Sequence, residues 1–461
     1  MHVKTKTSWT LAALLLAAPV FCHAIDSTPM PTQEPVQALA SVSVAGLETL
    51  PQYKSAALTI DDNVDGIKEI DIWSRIRSGY AIPDIDNQLV AKHVAWYSTR
   101  PEHIAITTAR ASRYLFHVVQ ELQKRGMPTE LALLPFIESA FNPQAFSSAN
   151  AAGMWQFIPA TGRAFNLKQT MFKDERRGVV ASTDAALSYL QQLYGMFGDW
   201  QLALAAYNWG EGSVQRAIKK NEALGKPTDF DSIAYQMPSE TRNYVPKLQA
   251  IKNIIGNPMQ YGLTLPQIDN LPYFTTVDKT SDIDMTIAAQ LAELSLDEFK
   301  ALNPQFNRPV ITGSANTQIL LPKENARKFH LNLAQWGQAL STWTTHKITS
   351  AREHIDTLAS KYDTTPEVLR QANNIPKKML LMAGSTILVP RISTSKNIDI
   401  TTEIADNATI KYEAERSERK RAVTRRNASK SKNAAPISLV KARVSRSGKT
   451  VNQHGARASA R

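Results

Sequence analysis

Apolar residues recur at helical spacing from about Ile67 to Ile255, as in Ala109, Tyr114, Leu115, Val118, Val119 and Leu122. A periodic run of that length commits the first half of the chain to packed amphipathic helices. The pattern breaks between Asn257 and Pro272, where Pro and Gly gather. A diverged internal repeat follows: at an offset of 70, Ala289 matches Ala359, Ser295 matches Thr365, Asp297 matches Glu367, Phe299 matches Leu369 and Asn303 matches Asn373. Leu320-Leu321-Pro322 recurs as Leu388-Val389-Pro390 at an offset of 68. Each unit reads as a short strand, two short helices and a closing strand. The expected fold class is mainly α: a helical domain over 67–256, with its core at about 125–225, then small α+β modules over 272–325 and 344–391.

The two ends of the 461-residue chain differ from this middle. His2, Lys4 and Lys6 precede an apolar run from Trp9 through Phe21, and Cys22-His23-Ala24 has the small-x-small form of a cleavage site. Residues 1–24 are therefore expected to be a signal peptide and 25–66 a linker rich in Pro, Ser, Ala and Val. Cys22 is the sole cysteine, so cleavage after Ala24 leaves a chain without thiols. Lipid attachment at Cys22 is the alternative, against which Phe21 stands where a small residue is wanted. No later stretch reaches the roughly 20 apolar residues of a membrane span. The net charge of +12 resides in the tail, since Lys411 to Arg461 holds 15 Lys or Arg against 3 Asp or Glu. Residues 398–461, poor in aromatics, are expected to be disordered.

Local punctuation adds detail. Thr129 after Pro128 is an N-cap candidate, Thr183-Asp184 is expected to open a helix from Ala185 to Phe197, and Asp199 after Gly198 to open the next. Pro135 within the apolar run Leu131 to Ile137 breaks a helix rule, because it removes the hydrogen bond to the Leu131 carbonyl. That run ends on Glu138. A carboxyl at the end of an apolar helix is desolvated, which penalises its charged form and raises its pKa.

Three further motifs follow Ile137-Glu138-Ser139 in order: Gly153-Met154-Trp155-Gln156-Phe157, Ala206-Tyr207-Asn208-Trp209-Gly210 and Glu240-Thr241-Arg242-Asn243-Tyr244. Together they resemble the membrane-bound lytic murein transglycosylase D family, whose catalytic module belongs to glycoside hydrolase family 23, and the resemblance runs from about Ile72 to Ile255. It implies a lysozyme-like helical fold and cleavage of the β-1,4 bond between N-acetylmuramic acid and N-acetylglucosamine in peptidoglycan. Glu138 would be the single acid and base, and no metal, cofactor or second carboxylate would be needed. The resemblance and the chemistry together assign supporting roles. Ser139 would hold the departing sugar and Gln156 an acetamido group; Met154 and Phe157 would line the cleft. Tyr207 and Asn208 would bond the sugar or orient Glu138, and Tyr244 would hold Glu138 in its productive geometry. Gly153 and Gly210 would permit close backbone approach. A core aromatic with a satisfied hydroxyl is the alternative for Tyr207.

The repeated units resemble LysM modules, which implies binding to N-acetylglucosamine-containing glycan strands. The second copy departs from that family with Ser350-Ala351-Arg352-Glu353 in its opening turn. Export argues against nucleic acid as partner of the basic tail and for anionic murein, lipopolysaccharide phosphates or lipid headgroups in the periplasm and envelope, or for a tail that merely solubilises. Other chemistries lack their motifs: no His-Glu-x-x-His, no phosphate loop and no Gly-x-Ser-x-Gly elbow occurs. Asp174 and Glu175, the rival acids, read as a solvated charge cluster with Lys173, Arg176 and Arg177. A hydrolytic muramidase and a non-catalytic peptidoglycan-binding protein are the remaining alternatives.

Overall fold

The structure, a computed structural model, describes residues 71–279, 281–312, 317–392 and 398–415. The expected signal peptide, the linker and the tail from residue 416 onward lie outside the described residues. The first region is helical: α1 (Ile72–Ser78), α2 (Gln88–Ser98), α3 (Pro101–Ala111), α4 (Leu115–Lys124), α5 (Leu134–Ser139), α6 (Pro159–Ala164), α7 (Val179–Phe197), α8 (Trp200–Trp209), α9 (Glu211–Ala223), α10 (Phe230–Ile233) and α11 (Ser239–Gly256). α4 shows why the pattern folds as it does, since Leu115, Val118, Val119 and Leu122 recur on one face and are all buried. α11 packs against α2, α5 and α8. The region is closed end to start, with the Ile72 amide donating to the Ile268 carbonyl at 3.0 Å and the Trp73 indole to the Pro266 carbonyl at 2.9 Å.

Helix boundaries correct several local expectations. Asp199 does cap α8, accepting from the Leu202 amide at 2.8 Å. Thr183-Asp184 does not open a helix, because α7 starts six residues before Ala185, at Val179, and Thr183 is buried inside it. Thr129 begins a 3-10 turn (Thr129–Leu133), but its hydroxyl donates to the Ile76 carbonyl and caps nothing. Pro135 breaks no rule either: the 3-10 turn ends before it, and it occupies the first turn of α5, where no amide donor is required.

The repeat folds twice on one plan. In the first module β1 (Phe274–Asp278) pairs antiparallel with β4 (Gln318–Pro322), around β2 (Ile283–Asp284), α12 (Met285–Leu291), α13 (Leu296–Leu302) and β3 (Val310–Ile311). In the second, β5 (Trp343–Lys347) pairs with β8 (Thr386–Pro390), around β6 (Arg352–Glu353), α15 (Ile355–Lys361), α16 (Pro366–Asn373) and β7 (Met379–Met382). The matched asparagines do the same work. Buried Asn303 donates to the Leu320 carbonyl and accepts from the Leu320 amide, both at 2.8 Å. Buried Asn373 bonds the Leu388 carbonyl at 2.8 Å and the Leu388 amide at 2.7 Å.

Both modules are larger than expected. After β4 the chain continues as α14 (Lys323–Ala334), which buries Ala326 and Phe329 in the first module's core, so that module does not end at 325. Residues 398–415 are ordered: α17 (Thr402–Asn407) is capped by Thr401, and β9 (Tyr412–Ala414) adds a third strand beside β7. A few apolar contacts suffice where composition predicts disorder. Ile400 and Ala405 are buried with Phe172, Val310 and Leu388, and Ile410 packs on the second module's core.

Candidate active site

Glu138 is the penultimate residue of α5, and local chain geometry fixes it there. The helix is stopped by two successive left-handed residues, Ala140 (φ 49°) and Phe141 (φ 52°). The Phe141 amide returns to the Pro135 carbonyl at 2.9 Å, and its fully buried ring meets Phe136 edge to face at 5.2 Å. The short helix is therefore clamped at its C-terminal end, and the half-buried carboxyl of Glu138 is held with it.

Among the described residues the carboxyl has one hydrogen-bond donor, the Tyr244 hydroxyl from α11, which binds its Oε1. Burial pushes its pKa up to about 7; the Tyr244 hydrogen bond opposes this, the Glu240 carboxylate adds to it and Lys247 opposes it. Tyr244 is buried, and burial together with the adjacent Glu138 charge keeps its hydroxyl firmly protonated. Tyr207 is held likewise, by burial and then by the same Glu138 charge. One proton near neutrality thus sits on a carboxyl flanked by two phenols that retain theirs.

The Gly153 to Phe157 motif forms a tight turn closed by the Ala152 and Phe157 backbones, and its neighbours grip it from several sides. Ser139 Oγ donates to the Met154 carbonyl at 2.9 Å, Tyr207 Oη to the Trp155 carbonyl at 2.9 Å and Gln156 Nε2 to the Gly153 carbonyl at 2.7 Å. The Trp155 indole reaches Thr183 Oγ1 at 3.1 Å. Gly153 is obligatory, because its φ is +84° and a Cβ would lie 2.0 Å from the Arg176 carbonyl oxygen. Gly210 also has positive φ, +88°, but a Cβ there meets nothing within 4 Å; its role is conformational, not the close approach expected.

The structure brings Glu138, Ser139, Gln156, Tyr207, Asn208 and Tyr244 together through these bonds, with Asn208 Oδ1 accepting from Thr241 Oγ1 at 2.7 Å. Met154 and Phe157, expected to line the cleft, are both buried in the core, where Phe157 packs against Phe165 and Tyr207. Asp174 is buried too, paired with Arg176, which bonds it through Nη2 at 2.7 Å and Nε at 3.0 Å. The same guanidinium donates to the Phe157 and Asn150 carbonyls at 3.1 and 2.7 Å. This pair buttresses the turn and is not a solvated cluster. Sequence reasoning also missed Thr183, Thr241 and the Tyr189 hydroxyl donating to Glu211 at 2.9 Å; a polar Thr183 within an apolar helical run was the one available signal. Among the described residues no cluster of His, Cys, Asp and Glu could hold a metal ion.

The family described as Transglycosylase SLT domain matches residues 118–230, which contain Glu138, Gln156 and Tyr207. The LysM-like domain of lytic transglycosylase MltD matches residues 273–338, in agreement with a first module that includes α14. Two separate segments of the chain are thus similar to a transglycosylase SLT domain and, after it, to a LysM-like domain of lytic transglycosylase MltD. It is 39% identical over 295 residues to membrane-bound lytic murein transglycosylase D of Escherichia coli K12, covering 64% of this chain and 65% of that relative. The match thus spans just under two thirds of that relative's length. It is 47% identical over 124 residues to a putative tributyltin chloride resistance protein of an Alteromonas species, covering 27% and 60%. With membrane-bound lytic murein transglycosylase C of Yersinia enterocolitica it shares 32% over 187 residues, covering 34% and 51%. No helix among the described residues is long and apolar enough to cross a membrane.

Proposed function

We propose that this protein is a lytic transglycosylase of peptidoglycan, with Glu138 as its single acid and base. The observation that carries the reading is a carboxyl with its pKa pushed up to about 7, fixed by Tyr244 beside a rigid turn within the SLT-matching segment. A carboxyl so poised holds a proton to give and, once ionised, takes one back at the same pH. Glu138 first donates its proton to the β-1,4 oxygen, and the bond from C1 of N-acetylmuramic acid breaks as N-acetylglucosamine leaves with a 4-hydroxyl. The Glu138 carboxylate then takes the proton of the muramic acid 6-hydroxyl as that oxygen bonds C1, closing a 1,6-anhydro ring. No water is consumed, and the carboxyl is regenerated. An intramolecular nucleophile has a high effective molarity, so a second carboxylate to activate water is unnecessary.

Ser139, Gln156, Tyr207 and Asn208 are assigned to the sugar and to the turn that faces it, and Tyr244 to positioning Glu138. The two modules hold glycan strands, and the enzyme works in the periplasm after export, with the basic tail attracted to anionic envelope polymers. Mass spectrometry of products released from purified sacculi tests the reading. Wild-type protein is expected to release anhydromuropeptides, and Glu138→Gln to lose at least about a thousandfold in rate while remaining folded. Reducing-end products would make the enzyme a hydrolase, and no products with retained sacculus binding would make it a structural peptidoglycan-binding protein.

A further inference from the structure

A cavity of about 840 Å³ is bordered by the helical domain and by both repeated modules. Its charged lining is strongly cationic: Arg110, Arg113, Arg177, Lys300 and Arg308 contribute, against the single carboxylate of Asp297. Arg113 is already neutralised by Glu298, with Nη2 to Oε2 at 2.7 Å. Arg177 feels the Asp174 carboxylate without a direct ion pair to it, and Arg308 has no neighbouring anion among the described residues. Each is only 7% exposed and has a buried Nε with no hydrogen-bond partner, and neither forms an ion pair among the described residues.

Arg177 spends its two terminal nitrogens on Gln144 and Asn307, which fixes its plane. Arg308 makes one long bond, 3.5 Å, to the Ala372 carbonyl of the second module. Burial pulls the Arg308 pKa down to about 10 with no neighbouring anion to restore it. Arg308 is therefore a buried guanidinium without counter-charge and with few of its donors used, which is costly, and a ligand anion that bonds it removes that cost. Guanidinium forks match carboxylates in a bidentate geometry.

The rest of the lining narrows the ligand. Trp343, Phe306, Met285, Pro143 and Pro309 make much of the wall apolar, which suits a short aliphatic chain carrying carboxylates better than a fully hydrated inorganic anion. Position narrows it further. Asn142, which also lines the cavity, follows Glu138 by four residues, so their Cα atoms lie within about 14 Å.

We infer that this cavity is a binding site for the carboxylate-bearing peptide branches of the glycan, with Arg308 as the anion receptor, Lys300 on the same wall and Arg177 adding positive charge from its fixed place beside them. The inference rests on the proposed function for its substrate and makes the enzyme favour peptide-bearing over denuded strands. The second module then has a role in the site: α16 supplies Val368, Gln371 and Ala372 to the wall, so it shapes the peptide subsite.

The test is calorimetric binding of a soluble N-acetylated peptidoglycan tetrapeptide, which contains no glycosidic bond, to the full-length wild type, Arg308→Gln and Lys300→Ala. The same peptide with its carboxylates amidated, and inorganic phosphate as competitor, complete the set. Turnover of glycan stripped of peptide is measured in parallel. The expected result is at least a tenfold loss of peptide affinity in Arg308→Gln and on amidation, a smaller loss in Lys300→Ala, and unchanged turnover of stripped glycan. Equal binding of the amidated peptide, equal binding by both variants, or displacement by phosphate at the same concentration as free peptide would overturn the inference. Peptide binding with no cleavage of any glycan would support the pocket while overturning the proposed function.

Discussion

The paired asparagines of the two repeated modules and Glu138 of the helical domain are polar side chains withdrawn from water in opposite ways. In the modules one asparagine satisfies both backbone groups of one leucine in the closing strand, Asn303 with Leu320 and Asn373 with Leu388, across 17 and 15 residues of sequence. In the helical domain the carboxyl of Glu138 accepts, among the described residues, from one donor, Tyr244, 106 residues away. A fully satisfied buried group adds to stability and fixes structure, whereas an under-satisfied one is costly and chemically poised. The two asparagines are groups of the first kind, and Glu138, held by Tyr244 in a desolvated setting that raises its pKa, stands nearer the second. The stability of the modules therefore belongs to local devices, and the reactivity of Glu138 to distant ones.

The largest effect that sharpens this contrast is expected at Gly153. Gly153→Ala would force a left-handed alanine against the Arg176 backbone and cost on the order of 4 kcal/mol by thermal or urea unfolding. Loss of the turn would also abolish activity. A variant of near-normal stability would show that the turn is softer than its geometry implies.

A smaller and paired effect tests the modules. Asn303→Ala and Asn373→Ala should each cost about 2–3 kcal/mol in their own module, because each strands one buried amide and one buried carbonyl. Hydrogen exchange at Leu320 and Leu388 reads the two modules separately. Unequal losses would mean that the repeat has diverged in energetics as well as in sequence.

The same contrast explains what was legible in the sequence. The helical domain, the repeat and the Asn303–Asn373 correspondence follow from periodicity and short offsets, because those elements are built from near neighbours. Glu138 was legible through its motifs, and Tyr244 through the last of them. The buried Arg176–Asp174 pair was not. Five charged residues in a row read as solvated, but three of them, Asp174, Arg176 and Arg177, are buried, in part beneath the Gly153 turn more than twenty residues upstream. The burial of Met154 and Phe157 was not legible for a related reason: a motif marks where a turn lies, but which of its side chains face inward depends on α7 and α8 packed behind it. The ordered stretch 398–415 was missed because three isoleucines, Ile400, Ile404 and Ile410, anchor it to surfaces that composition does not register.

The central claim is that the cleft keeps Glu138 protonated near neutrality. Because its folded pKa, about 7, exceeds its ordinary value of 4.5, the native state binds this proton more tightly than the unfolded chain. The carboxyl's cost to stability is therefore absent below about pH 4.5, grows as pH rises and is complete above about 7, at roughly 3 kcal/mol. The direct measurement is the titration of the Glu138 carboxyl carbon by NMR in selectively 13C-glutamate-labelled protein, in wild type and Tyr244→Phe. The account predicts a midpoint near 7 in the wild type, and one about a unit higher in Tyr244→Phe because the lost hydrogen bond stabilised the anion. The alkaline fall in kcat/KM should move upward by the same amount. A wild-type midpoint near the ordinary value of 4.5 would contradict it, since the carboxyl would then have no proton to give.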